Sequence, residues 1–143
     1  MRRHLLEVVL VEDDEVEIEA VVRALRNLHI AHDLTVYRTG AGALQSLRQQ
    51  RQHLQDACPF FILLDLNMPD VPGLQLLRQL REDPLLCAAI VFVLTNSDNE
   101  EDKYAAYRQH VAGYLIKANL GPRYEGLTEL IRAYYQVVEF PQR

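Results

Sequence analysis

Cysteine is scarce in this sequence, which excludes a disulfide framework and a cysteine-rich metal site. Among 143 residues there are two cysteines, Cys58 and Cys87, and their separation matches no metal-ligand spacing. We interpret both as free, mostly buried thiols of a protein in a reducing compartment. A chain of this length can bury a sizeable core without cross-links, so we predict one domain over residues 1–143.

Long apolar runs are also absent. The longest, Leu85 to Leu94, is too short to cross a bilayer, because a spanning helix needs about 20 residues. The N-terminal stretch MRRHLLEVVLVEDD places acids where a signal peptide needs a small-residue cleavage site. We therefore predict a cytoplasmic protein that has no membrane partner.

Clustered basic residues are missing as well. The formal net charge is -5 and no segment carries a stripe of Lys and Arg, which argues against nucleic acid as a main partner. Lysine is rare, since thirteen arginines stand against two lysines, Lys103 and Lys117. With 49% apolar and 24% charged residues, the composition is that of a folded globular protein.

Five apolar runs of strand length are present, and segments with helical spacing lie between them. Strands that alternate with helices predict β-α-β units and a parallel sheet covered by helices on both faces. The runs are continuously apolar, as expected of strands buried on both faces. They are LLEVVLV (5–11), DLTVY (33–37), FFILL (60–64), AAIVFVL (88–94) and AGYLI (112–116).

Polar residues follow these predicted strands at their carboxyl ends, where an open parallel sheet binds its ligands. Glu12 and Asp13 follow the first strand, and Asp65 follows the third. Such acids repel one another unless a cation joins them, and Mg²⁺ prefers oxygen ligands. With the cation bound, Asp65 can attack phosphorus. Thr95 and Lys117 follow the fourth and fifth strands and can contact the phosphoryl oxygens.

Two further acids and the end of the second strand have simpler interpretations. Asp14 and Glu15 precede a predicted helix, so we interpret them as its N-terminal cap and dipole partner. The second strand ends in Tyr37-Arg38-Thr39-Gly40, which we interpret as a turn without obvious chemistry.

From Leu6 to about Val138 the sequence resembles a receiver domain of the two-component response regulators. The motifs are VLVEDD after the first strand, LLDLNMPDVPG around the third, VLTNS at the fourth and GYLIK at the fifth. The resemblance implies a doubly wound α/β fold of the flavodoxin-like (βα)5 type. Its parallel sheet would have five strands in the order 2-1-3-4-5.

The resemblance also implies a function, which is a phosphorylation-dependent switch that catalyses only its own phosphoryl transfer and dephosphorylation. Asp65 would accept the phosphoryl group from a sensor histidine kinase, and Thr95 and Lys117 would contact that group. Tyr114 matches the aromatic switch position of the family. The implied Mg²⁺ ligands are Asp13, Asp65, Glu12 partly through water, and the backbone carbonyl of Asn67.

Finer features resemble the stand-alone response regulators paired with bacterial and cyanobacterial phytochromes. They include NSDNEEDKYAAYRQH after Thr95, and Ala118 where most receivers have proline. Because a non-proline cis bond costs roughly 2.5–4 kcal/mol, we predict a trans Lys117-Ala118 peptide, with the turn made at Gly121-Pro122. Asn96 stands where the family usually has a small residue, so the resemblance leaves open how freely water or a phosphatase would reach the phosphoryl group.

The chain ends at Arg143 without a sequence for a DNA-binding or enzymatic module, so we expect output through protein contacts, including a downstream phosphotransfer protein. Two alternatives are a haloacid-dehalogenase-like phosphohydrolase and a pseudo-receiver that is never phosphorylated. The hydrolase would need a second aspartate where Asn67 stands. The pseudo-receiver would have no physical need for the complete acidic and basic set.

We also predict a homodimer through the fourth and fifth helices and the edge strand between them. The apolar arc of the last helix is wider than packing on the sheet requires. A second copy would cover this excess and shield the edge strand. The predicted interface residues are Tyr104, Tyr107, Leu130, Tyr135 and Val137.

Overall fold

The computed structural model describes residues 5–52 and 60–140 and contains a parallel five-stranded sheet. The strand order is β2-β1-β3-β4-β5, which confirms the predicted flavodoxin-like topology. The first and last residues of each predicted strand lie within two positions of those of the observed strand. The elements are β1 Leu6–Val11, α1 Glu15–Arg26, β2 His32–Tyr37, α2 Gly40–Gln52, β3 Phe61–Leu64, α3 Gly73–Glu82, β4 Ile90–Thr95, α4 Glu100–Arg108, β5 Gly113–Ile116, a 3-10 turn Lys117–Asn119 and α5 Glu125–Val137.

The core has two halves, one on each face of the sheet. On one face α2, α3 and α4 pack against strand residues such as Val9, and on the other α1 and α5 pack against neighbours such as Val8. Successive residues of β1 and β3 therefore enter opposite halves. Because both faces are covered, β3 is apolar at every position and β1 at every position except Glu7, as the sequence predicted.

Arg81, near the end of α3, connects two loops at the amino ends of β4 and β5. Its guanidinium donates hydrogen bonds to the carbonyls of Cys87 and Ala89, at 2.9 and 2.7 Å, in the loop before β4. It also donates to the carbonyls of Gln109 and His110, at 2.7 and 3.0 Å, before β5. Burial lowers the pKa of Arg81, although the group stays charged at any physiological pH. One side chain thus ties both loops to α3.

The prediction of buried thiols is wrong for Cys87, which is exposed. This residue lies in the turn between α3 and β4 rather than in a strand, and its Sγ is 3.8 Å from the carbonyl oxygen of Pro84. The apolar run in which it stands becomes a strand only from Ile90. Cys58 lies outside the described residues.

The loop after β5 follows the predicted path. Residues 5–52 and 60–140 contain no cis peptide bond, so the Lys117-Ala118 bond is trans, as predicted. Gly121 has a φ of 92°, a left-handed conformation that favours glycine, and it makes the predicted turn. Across the same ranges, no helix combines the length and apolar character needed to cross a membrane.

The predicted dimer face is partly exposed. β5 is an edge strand of the sheet. Tyr104 and Tyr107 on α4 are 70% and 54% exposed, and Val137 on α5 is 79% exposed. Leu130 and Tyr135 are half-buried and pack against the α1–α5 half of the core. Three of the five predicted residues are therefore free to contact a partner through most of their surface.

Candidate functional site

The acidic residues after β1 and β3 lie side by side because these strands are neighbours. Val11 pairs with Leu64, and the Asp65 amide donates a 3.2 Å hydrogen bond to the Val11 carbonyl. One carboxylate oxygen from each of Glu12, Asp13 and Asp65 lies within 4.8 Å of the others. Glu12 and Asp65 are buried and Asp13 is exposed. A cluster of hard oxygen donors that is open on one side fits a divalent cation that keeps several waters.

Lys117 supplies the positive charge beside this cluster. Its side chain is only 5% exposed, and its Nζ donates a 2.7 Å hydrogen bond to Glu12 Oε1 and lies 3.8 Å from Asp65 Oδ2. Burial raises the pKa of the Glu12 carboxyl. Burial alone would lower the pKa of Lys117, but the bond to Glu12 and the charge of Asp65 outweigh it and the pKa is raised. Lys117 therefore stays protonated at neutral pH.

The loop after Asp65 holds this carboxylate in place. The Asn67 amide donates a 3.2 Å hydrogen bond to Asp65 Oδ1. Gly73, the first residue of α3, donates a 2.9 Å hydrogen bond to the Leu66 carbonyl. A Cβ at Gly73 would lie 2.4 Å from the Leu66 Cα and 2.7 Å from the Asp65 carbonyl oxygen. Only glycine allows α3 to begin this close to the acidic cluster.

Thr95 and Tyr114 are linked through one residue. Thr95 ends β4 and is fully buried, and its hydroxyl oxygen accepts a 3.3 Å hydrogen bond from the Ser97 amide. The Tyr114 hydroxyl donates a 3.0 Å hydrogen bond to the Ser97 carbonyl. The ring is half-buried against the α2–α4 half of the core, and burial raises the pKa of Tyr114. Thr95 and Tyr114 therefore both bond the backbone of Ser97.

The other predicted strand-end residues act in local structure. Asp14 is the N-cap of α1 and accepts a 2.9 Å hydrogen bond from the Val16 amide, which confirms the capping interpretation. Glu15 forms an ion pair with Arg38. The turn after β2 leads directly into α2, which begins at Gly40.

Sequence reasoning missed two residues at this site, Glu17 and Tyr124. Glu17 Oε2 lies 3.6 Å from Lys117 Nζ and accepts a hydrogen bond from the Tyr124 hydroxyl. The spacing from Asp14 to Glu17 is that of a capping box, in which Glu17 would accept from the Asp14 amide. That amide instead donates to Glu12 Oε2 at 3.3 Å, which leaves Glu17 to face the site.

Comparisons with known proteins agree with this geometry. The family model described as response regulator receiver domain matches residues 8–123. The response regulator Rcp1 of Synechocystis sp. is 38% identical over 111 residues, which make up 78% of this chain and 76% of Rcp1.

Two solved structures share this fold and are 31% identical to this chain in sequence. The phosphorylated cyanobacterial phytochrome response regulator RcpA has a TM-score of 0.82 and 31% identity, covering 97% of this chain and 100% of RcpA. The Mn²⁺-bound form of Rcp1 has a TM-score of 0.80 and 31% identity, covering 96% of this chain and 99% of that one. This chain belongs to the response regulator receiver family.

Proposed function

We propose that this protein is a phosphoacceptor switch in which Asp65 receives a phosphoryl group from a sensor histidine kinase. The observation that carries the proposal is the buried Asp65 carboxylate, which belongs to the acidic cluster and lies 3.8 Å from the Lys117 ammonium. An Asp65 oxygen attacks the phosphorus, the bond to the kinase histidine nitrogen breaks, and the imidazole leaves. Lys117 and Thr95 stabilise the charge on the phosphoryl oxygens.

The carboxylates are suited to Mg²⁺, and the Mn²⁺-bound form of the relative Rcp1 supports the assignment. Asp13 and Asp65 would hold the ion directly, Glu12 partly through water, and Asn67 through its carbonyl. A bound divalent cation supplies the positive charge that allows an anionic donor to approach three carboxylates. The Asn67 backbone amide and the Lys117 ammonium orient the acceptor carboxylate.

The proposed partner is a phytochrome-type histidine kinase in the cytoplasm. RcpA is a phytochrome response regulator, and this chain resembles it over nearly its whole length. Output would occur by protein contact, for example with a downstream phosphotransfer protein. A homodimer through α4, β5 and α5 would cover the exposed Tyr104, Tyr107 and Val137 and the half-buried Leu130 and Tyr135.

The test is transfer of labelled phosphate from a purified phytochrome-type kinase, with ATP and Mg²⁺, in light and dark. Wild type should gain a label only when Mg²⁺ is present during the transfer, and Asp65→Asn should gain none. Asp33→Asn is the matched control, because Asp33 is an exposed aspartate at the start of β2. Equal labelling of Asp65→Asn and wild type would refute the assignment.

A further inference from the structure

Lys117 contacts one carboxylate more than the proposed chemistry requires. Its Nζ lies 2.7 Å from Glu12, 3.6 Å from Glu17 and 3.8 Å from Asp65. Glu12 and Asp65 belong to the carboxylate cluster, whereas Glu17 lies outside it, on the first turn of α1. The Glu17 charge therefore acts on the lysine rather than on the cluster. Glu17 thus offers the ammonium an attractive charge that competes with the acceptor carboxylate of Asp65.

Tyr124 limits how strongly Glu17 attracts Lys117. The Tyr124 hydroxyl donates its hydrogen bond to Glu17 Oε2, the same oxygen that faces Lys117. An oxygen engaged by a strong donor attracts a second donor less. At 3.6 Å, Lys117 lies beyond a normal hydrogen bond to Glu17 while it makes a short bond to Glu12. Tyr124 thus competes with Lys117 for one oxygen.

The backbone conformation of Tyr124, whose hydroxyl makes this bond, is unusual. Tyr124 has a φ of 55° and a ψ of 36°, a left-handed conformation that an aromatic residue rarely adopts. Such outliers persist where the surroundings hold them, commonly at functional sites. The Tyr124 carbonyl accepts a 3.2 Å hydrogen bond from the Thr128 amide, and the Thr128 hydroxyl bonds the Ala24 carbonyl of α1 at 2.9 Å. The start of α5 is thus joined to α1 by the hydroxyls of both Tyr124 and Thr128.

We propose that Glu17 and Tyr124 form a positioning pair that sets how readily Lys117 reaches the phosphoryl group on Asp65. The inference rests on the proposed function and adds a control to it. Glu17 retains the lysine and Tyr124 weakens that retention. When phosphate arrives at Asp65, Lys117 moves toward it, and the Glu17–Tyr124 contact changes in response. The loop that carries Tyr124 then reports the state of Asp65, separately from Tyr114.

The pair predicts rate changes of opposite sign. Glu17→Gln removes the competing charge at constant shape and should speed phosphorylation by a small-molecule donor. Tyr124→Phe removes the hydroxyl, lets Glu17 bind Lys117 directly and should slow it. Each change should be about 2- to 10-fold, the effect of one hydrogen bond. In Glu17→Gln/Tyr124→Phe the slowing should disappear, because Tyr124 acts only through Glu17.

The experiment uses phosphoramidate as donor at saturating Mg²⁺, with the phosphorylated fraction followed over time. The P–N bond of the donor breaks as the bond to Asp65 forms, and ammonia leaves with a proton from solvent. Glu15→Gln and Tyr104→Phe are the controls, because Glu15 lies on the same turn of α1 with Arg38 as its partner and Tyr104 is exposed. Neither control should change the rate.

Fluorine NMR of the fluorotyrosine-labelled protein provides a second readout, with the Tyr124 resonance assigned from Tyr124→Phe. Beryllofluoride should shift this resonance in wild type and not in Glu17→Gln, while the Tyr114 resonance shifts in both. If wild type is phosphorylated but both variants match it, or change in the same direction, the positioning pair is wrong and the proposed function stands. If wild type takes no phosphate, both proposals fail.

Discussion

Lys117 donates its 2.7 Å hydrogen bond to Glu12, directly after β1, and stands 3.8 Å from Asp65, directly after β3. Both Glu12 and Lys117 are almost fully buried, so each is the main compensation for the charge of the other. Buried pairs of this kind add little stability over apolar residues, but removal of one partner leaves a buried charge unpaired. Lys117 therefore affects folding as well as phosphoryl transfer.

Lys117→Met should lower the free energy of unfolding by about 3 kcal/mol at pH 7 without metal, because a buried glutamate loses its cation. Lys103→Met is the matched control, since the other lysine pairs with Asp98 and Glu100 at the surface and should lose at most about 1 kcal/mol. Urea denaturation measures the free energy of unfolding of both variants. Adding Glu12→Gln to Lys117→Met should recover much of the loss. Equal losses from the two lysines would contradict the buried-pair interpretation.

Thr95→Ala should uncouple Tyr114 from the phosphorylation site. The Thr95 and Tyr114 side chains both bind Ser97, so a hydroxyl drawn to phosphoryl oxygens would release the Tyr114 contact. Beryllofluoride should shift the Tyr114 NMR signals in wild type and much less in Thr95→Ala. The exposed Tyr104 serves as an internal reference in the same spectra. Equal Tyr114 shifts in both proteins would exclude the coupling.

Asp83 should stabilise the fold in a pH-dependent manner. Burial would raise the pKa of its carboxyl, but the bonds from the Arg48 side chain and the Leu85 amide outweigh burial and lower the pKa below 3.8. A lowered folded-state pKa means that the stabilisation is complete above the unfolded value of about 3.9 and is lost as pH falls through the folded value. Asp83→Asn should cost about 2 kcal/mol at pH 7.

The measurement for Asp83 is urea unfolding from pH 7 down to pH 2.5. The difference in free energy of unfolding between wild type and Asp83→Asn should narrow below pH 4. Asp98→Asn is the control, because Asp98 is exposed and pairs with Lys103 at the surface. A gap that stays constant from pH 7 to pH 2.5 would show that the charge of Asp83 contributes nothing.

The proposed homodimer should depend on the exposed residues of α4 and α5. Wild type should sediment at about twice the monomer mass at micromolar concentration. Tyr104→Asp with Val137→Asp should sediment as a monomer, because two charges would be buried in the interface. Val16→Asp is the control, since Val16 is an equally exposed apolar residue on α1, away from this face. A wild-type monomer with and without beryllofluoride would rule out the dimer.

The fold and the main site could be predicted because both depend on strands. A strand buried on both faces is a continuous apolar run, and the residue after it lies at the rim where ligands bind. Asp65, Thr95 and Lys117 were found in this way. The predicted burial was wrong where an apolar run extended beyond its strand, as at Cys87, which lies exposed in a turn before β4.

Contacts that depend on the course of a loop could not be predicted. Glu17 and Tyr124 are 107 positions apart and meet because Tyr124 takes a left-handed conformation, which no residue type in that segment signals. Glu17 also occupied a capping-box position, so its sequence context pointed to a local role. The partners of Arg81 are backbone carbonyls, which have no sequence signature.

The bonds of Arg81 have a mechanical consequence. They fasten the loops before β4 and β5 to α3 at the end of the sheet opposite Asp65. The other ends of the same two strands carry Thr95 and Lys117, the proposed contacts of the phosphoryl group. The four bonds of Arg81 thus brace this end of the sheet. Any movement that phosphoryl transfer causes after β4 and β5 would occur relative to that braced base.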